Sequence, residues 1–215
     1  MELTLDENTG YVMTMKLYHC KGARSMRPLW TLEELGLEFE LITMEFPPRY
    51  TYEGYKTINP LGTVPTFVDG NVVMTESSGI CQYIVEKFGP TPLAVRSDEA
   101  DYGEYLNWLY RSDATLTFPN TLVFRYAELE PPERRNPQVV EDYRKWFLAR
   151  ARCIEQATAE REYLCQGRFT IADICIGYAV RFALLLGIDE VLTPNTERWW
   201  NQISSRPAYR RAEDQ

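Results

Sequence analysis

The amino-acid sequence predicts two domains: a small α/β unit of order βαβ–ββα, then an all-α helical bundle. Three observations predict this. Strand-like apolar runs are confined to the segment before Gly89. A stiff segment with two prolines, Pro90 to Arg96, follows directly. Beyond it only helix-length amphipathic runs remain. The predicted limits are a flexible N-terminal tail at 1–14, an α/β domain at 15–89, a linker at 90–96 and a helical domain at 97–215. A chain of 215 residues, 45% of them hydrophobic, has material for two such cores.

The elements follow in order. "VMTMKLYHC" is a short apolar strand. In "RPLWTLEELG", Pro28 suits a first helical turn, Leu29, Leu32 and Leu35 mark one face, and Gly36 stops the helix. Glu38–Met44 alternates as a strand, which makes a βαβ unit with parallel strands. "FPPRYTYEGYKTINPLG" reads as a loop with one helical turn. "TVPTFV", "DG" and "NVVM" form a hairpin. Pro65 stands at its entrance, a place a strand tolerates because proline has no N–H for the ladder. "ESSGICQYIVEKFG" is a helix capped by Ser77, with Ile80, Cys81, Ile84, Val85 and Phe88 as its buried stripe.

In the second domain, a helix opens at the Ser97 cap and runs through Tyr102, Tyr105, Leu106 and Leu109. "PPERRNP" breaks the chain before a long helix over Val139–Leu164. Thr170 with Asp173 resembles a capping box, and Ile171–Leu186 is apolar nearly all round, hence buried. A last short helix covers Thr196–Ser204.

Composition excludes several functions. A net charge of −8 argues against a nucleic-acid surface. No apolar run approaches the ~20 residues of a membrane span. "MELTLDENTGYVMT" is polar and acidic, unlike a secretory leader. Five scattered cysteines without a CxxC point to a reducing, cytoplasmic setting rather than to disulfides or a zinc site. His19 is the only histidine, so no site is built on histidine pairs, and no Gly-x-Ser-x-Gly turn accompanies it.

The motifs "LWTLEELGLEFE", "INPLGTVPTF", "ESSGICQYI", "GRFTIADICIGY" and "SRPAYRRA" lie in this order over residues 15–212. Together they resemble the soluble glutathione transferases, most of all bacterial ones. The resemblance implies a thioredoxin-like first domain with a mixed four-stranded sheet. It also implies glutathione as co-substrate, no metal, a small hydrophobic electrophile and a homodimer.

The same resemblance implies roles for particular residues. A cis peptide before Pro65 turns the Val64 backbone toward the cysteinyl part of glutathione. Ser77 takes the γ-glutamyl carboxylate at a helix N-terminus, where unpaired N–H groups suit an anion, and Glu76 balances the neighbouring ammonium. The chain departs from the family at the catalytic position and at Thr63. Ala23 stands where Ser/Thr-type enzymes carry a hydroxyl, and Arg24 where Cys-type enzymes carry sulfur. The thiolate partners left are Ser25, Tyr18 and Arg24, with Ser25 preferred. Thr63 stands where many relatives place a basic residue for the glycine carboxylate, a task open to Lys56 or Arg49. Tyr105, Trp108, Arg111, Thr115 and Phe118 are the expected electrophile pocket, some of them serving as helical core. Cys20 lacks a second cysteine at position 23, so dithiol chemistry is not expected. Monothiol exchange there competes with an inert buried cysteine. The alternatives to a transferase are a non-catalytic interaction module of the same fold and a glutathione-dependent isomerase or thiol reductase.

Overall fold

The computed structural model describes residues 15–165 and 167–215. The tail expected over 1–14 lies outside the described residues. The chain forms two compact units: residues up to Lys87 together with Pro207–Gln215, and Phe88–Arg206.

The first unit holds β1 (Met15–His19), α1 (Met26–Leu35), β2 (Phe39–Thr43), the short helices α2 (Pro48–Thr51) and α3 (Tyr55–Ile58), β3 (Thr66–Asp69), β4 (Val72–Met74) and α4 (Ser77–Lys87). The sheet order is β2-β1-β3-β4. β1 runs parallel to β2, with Leu17 beside Leu41, and antiparallel to β3, with Leu17 opposite Phe67. β4 pairs antiparallel with β3, Phe67 opposite Met74. This is the mixed four-stranded, thioredoxin-like arrangement that the sequence predicts. The Asp69–Val72 pair closes a two-residue hairpin loop, and Gly70 supplies the positive φ of 60°. α1 stops at Gly36, whose left-handed φ of 62° lets its N–H reach back to the last turn. Leu17, Leu29, Leu32, Phe67, Ile80 and Ile84 are fully buried and make the core.

The last helix, α10 (Pro207–Asp214), belongs to this unit rather than to the helical one expected over 97–215. Tyr209 meets the Trp30 ring edge-on at 4.9 Å, and Arg211 pairs with Glu33 at 2.6 Å. Pro207 starts a helix separate from the one the sequence ended at Ser204.

The second unit contains α5 (Tyr102–Arg111), α6 (Phe118–Phe124), α7 (Pro137–Ala157), α8 (Ile171–Leu185) and α9 (Pro194–Ser204). Two π-helical stretches, Ser112–Thr117 and Arg125–Leu129, flank α6. Ser97 does not open α5. The Arg96 N–H donates to Glu99 Oε1 at 2.7 Å and Arg168 pairs with Glu99, holding the approach as a turn until Tyr102. α7 is offset from the expected Val139–Leu164 because Asn136 caps it, accepting from the N–H groups of Gln138 and Val139, and it ends by Thr158. The capping box at Thr170 forms as predicted, and Ile171 to Arg181 are all buried. Asp173 accepts from the N–H groups of Leu164 and Thr170 and from Trp199 Nε1, while burial pushes its carboxyl up to about 6.

Candidate active site

Strand register brings the predicted first-unit residues to one end of the sheet. Tyr18 faces Thr66 across β1 and β3, so Cys20, just past β1, and Val64, just before β3, leave the sheet at the same end. Phe67 faces Met74 across β3 and β4, so Ser77 follows β4 at that end too. One side-chain bond ties these turns together: Arg27 Nη1 donates to Ser77 Oγ at 2.8 Å, joining the first turn of α1 to that of α4.

The turn from Cys20 to Ser25 is tightly organised. Gly22 has φ 78°, Ala23 N donates to Cys20 O at 3.0 Å, and Met26 N donates to Ala23 O at 3.0 Å. Ser25 sits at the N-cap of α1 without a side-chain cap bond. Its hydroxyl instead donates to Cys20 O at 3.3 Å and accepts from Cys20 N at 3.2 Å, fully buried. Ala23 packs against a buried cluster of Tyr18, Cys20, Met44, Tyr55 and Val64. Arg24 is half-buried in this turn. The Tyr18 ring lies among those of Tyr52 and Tyr55, at 6.4 and 6.0 Å, and burial raises its phenol above the usual range. That environment is packing for a ring. Burial also pushes the Cys20 thiol up to about 11, and its Sγ points at Glu45 O, which suits an inert cysteine rather than an exchanging thiolate.

The segment before β3 is clamped. Tyr55 Oη donates to Thr63 O at 2.6 Å and bonds Thr66 Oγ1 at 2.8 Å. Asn59 Nδ2 donates to Thr63 O at 2.8 Å, and Asn59 Oδ1 takes the Leu61 N–H in a local turn. Between these anchors Val64 is buried, and its peptide bond to Pro65 is cis. The Thr63 side chain is exposed. Arg49 is exposed and its aliphatic stem packs beside Gly62, where an added Cβ would lie 3.0 Å from Arg49 Cβ, while its guanidinium lies 4.8 Å from the Tyr50 ring centre.

At the start of α4, Ser77 is the first helical residue, not the cap the sequence suggests. The Glu76 carbonyl accepts from Ile80 N at 2.8 Å, and the Glu76 side chain is exposed. Ser77 Oγ, 2% exposed as a residue, is free of capping duty because Arg27 engages it.

The predicted electrophile residues divide by burial within the second unit. Tyr105 and Trp108 are core, each 2% exposed. The Arg111 guanidinium lies 4.5 Å from the Trp108 ring centre. Thr115 is half-buried on the π-helical stretch, and Phe118 is 53% exposed just after it. π-Helical turns recur at functional sites.

Arg27, Tyr55 and Asn59 are the residues that sequence reasoning missed. Asn59 carries a signal, since Asn-Pro favours a turn. Arg27 carries none: its partner is fifty positions away and it sits in a helix buried almost all round.

The chain, a βαβ–ββα unit joined in sequence to a helical unit, is similar to known glutathione transferases in sequence and in fold. Residues 13–86 match the family model "Glutathione S-transferase, N-terminal domain". The chain is 28% identical to Glutathione S-transferase 3 of Schizosaccharomyces pombe over 90% of its length and 84% of that protein. It is 27% identical to Glutathione S-transferase GstB of Escherichia coli K12, over 85% and 89% of the two chains. The solved structure of Ure2p5 from Phanerochaete chrysosporium, cocrystallized with 1-(S-glutathionyl)-2,4-dinitrobenzene, superposes with a TM-score of 0.81 at 25% identity, covering 95% of this chain and 94% of that one. This protein is therefore glutathione S-transferase-like.

Proposed function

We propose that this protein is a glutathione S-transferase that binds glutathione at the Cys20–Ser77 end of its first unit and directs the thiolate at a hydrophobic electrophile. The convergence of Val64, Ser77 and the Cys20–Ser25 turn, tied by the Arg27–Ser77 bond, carries this reading. Val64 offers its backbone N–H and C=O to the cysteinyl backbone as an added strand would. Ser77 and the start of α4 receive the γ-glutamyl carboxylate, Glu76 the ammonium, and the exposed Arg49, whose stem packs at Gly62, the glycine carboxylate. The likeness to transferases found with glutathione conjugates supports the same assignment.

With Ala23 bearing no hydroxyl and Ser25 turned onto Cys20, thiolate stabilisation falls to the Arg24 guanidinium and the N–H dipoles of the α1 start. A free thiol has a pKa of about 8.5, and lowering it by about 2 units takes roughly 2.7 kcal/mol. Ser25 shapes the turn. In the second unit, Arg111, Thr115 and Phe118 supply the accessible surface for the electrophile. The likeness to the family also supports pairing of two chains. The absence of a hydroxyl at Ala23 favours a second reading, a module that binds glutathione without turnover.

Rates of chloronitrobenzene conjugation against pH decide between these assignments. Arg24→Ala should raise the kinetic thiol pKa by about one unit through loss of a neighbouring positive charge. Ser25→Ala should leave that pKa in place. Loss of activity in Tyr18→Phe alone would give the role to the strand tyrosine. Glutathione binding with no conjugation in the wild type would establish the module.

A further inference from the structure

We propose that Arg27 is a positioning residue for the γ-glutamyl carboxylate: from inside the core it orients the Ser77 hydroxyl and places a permanent positive charge beneath the start of α4. The proposal rests on the glutathione reading above and adds a residue to it.

The geometry is specific. Arg27 is fully buried, Ser77 is 2% exposed, and Nη1 stands 2.8 Å from Oγ. A guanidinium only donates, so Ser77 Oγ accepts this bond. The remaining hydroxyl proton is thereby directed away from Arg27, available to an acceptor on the other side. A hydroxyl whose oxygen already accepts from a cation is polarised into a stronger donor. Ser77 is also the first residue of an eleven-residue helix, where unpaired N–H groups and the helix dipole favour an anion. Three contributions of one sign meet there: the polarised hydroxyl, the helix N-terminus and the buried guanidinium.

Burying a guanidinium is costly unless it is hydrogen-bonded, and an apolar side chain of similar length packs a core without that cost. Arg27 sits between Met26 and Pro28, in a helix whose residues from Met26 to Leu32 are all buried. Bonded to the first residue of α4, this buried charge acts directly on that helix start. Its carbonyl holds Thr31 Oγ1 at 3.0 Å, so the backbone beneath the guanidinium is fixed as well. An arginine stays charged across the working pH range, so the Arg27–Ser77 bond keeps its charge-assisted character throughout.

The test compares two ligands by calorimetry on the full chain: glutathione, and γ-aminobutyryl-cysteinylglycine, which keeps the amine and lacks only the carboxylate in question. Wild type should prefer glutathione by about tenfold to a hundredfold, the range of a charge-assisted hydrogen bond. Arg27→Gln should cut that preference to less than about threefold while leaving affinity for the analogue unchanged. Arg27→Lys, which keeps the charge, should restore part of it. Ser77→Ala should lose the preference with Arg27 in place, and Ser77→Thr should keep it, so the test does not depend on Arg27 variants folding. Full wild-type preference in folded Arg27→Gln, or in Ser77→Ala, overturns the proposal and leaves glutathione binding intact. Wild type that binds both ligands equally also overturns it. Wild type that binds neither overturns the glutathione reading with it.

Discussion

Replacing Tyr55 by Phe removes one oxygen atom and tests how the Val64 backbone is held. The ring is 1% exposed and packs against Tyr18 and Tyr52 at 6.0 and 6.2 Å, contacts that Phe retains. The hydroxyl has one proton, and burial raises its pKa, so it remains a donor at neutral pH. It donates to Thr63 O at 2.6 Å and accepts from Thr66 Oγ1 at 2.8 Å. Thr63 O keeps Asn59 Nδ2 at 2.8 Å, so its loss is one net hydrogen bond of about 1 kcal/mol at most. Thr66 is fully buried, and its hydroxyl loses this partner at a cost of about 1–3 kcal/mol. The total is about 2 kcal/mol, a substantial part of the roughly 5–15 kcal/mol typical of a folded domain. Because the two bonds flank Val64, part of that loss loosens the glutathione-facing backbone. Glutathione affinity should fall about threefold to tenfold through the reduced population of the competent conformation. Urea denaturation and calorimetric titration of wild type and Tyr55→Phe read the two effects. A variant equal to wild type in both would refute the clamp.

The second unit has its own anchor in Asp173, and Asp173→Ala leaves the N–H groups of Leu164 and Thr170 and Trp199 Nε1 without their acceptor. The cost should be about 3 kcal/mol or more, seen as an earlier urea midpoint. The Asp173 carboxyl has its folded pKa raised, so its proton linkage favours the native state most at low pH and fades as pH rises through about 6. The difference between wild type and Asp173→Ala should therefore narrow from pH 5 to pH 7.5, and widening would contradict that sign. Light scattering at micromolar concentration should give twice the 25.1 kDa chain mass, and a monomer mass would remove the pairing.

The sequence makes the first unit legible because its punctuation is strong. Gly36 ends α1, a Gly turn closes the β3–β4 hairpin, and a proline marks the strand entry, while the first unit ends at Lys87, two residues before the Gly89 the sequence suggests. The capping box at Thr170 and Asp173 is legible for the same local reason. Helix ends set by tertiary partners are not. α5 starts late because Arg168 and Arg96 hold Glu99, and α10 joins the first unit through Trp30 and Glu33. In the site, the positions of Val64 and Ser77 follow from motif and register, whereas side-chain direction does not. Ser25 has the right residue type at the start of α1, but its hydroxyl turns back onto Cys20. Tyr105 and Trp108 share the helical periodicity of pocket and core alike, and burial alone separates them from Phe118. Arg27 carries no signal in sequence, and only the packing of α1 on α4 brings it to Ser77.

Calorimetric titration of the wild-type chain with glutathione tests the central claim most directly. The expected result is saturable binding, one glutathione per chain, with a dissociation constant at or below about 1 mM, or roughly −4 kcal/mol. No heat of binding from a folded chain at several times that concentration (roughly 5 mM) would contradict it.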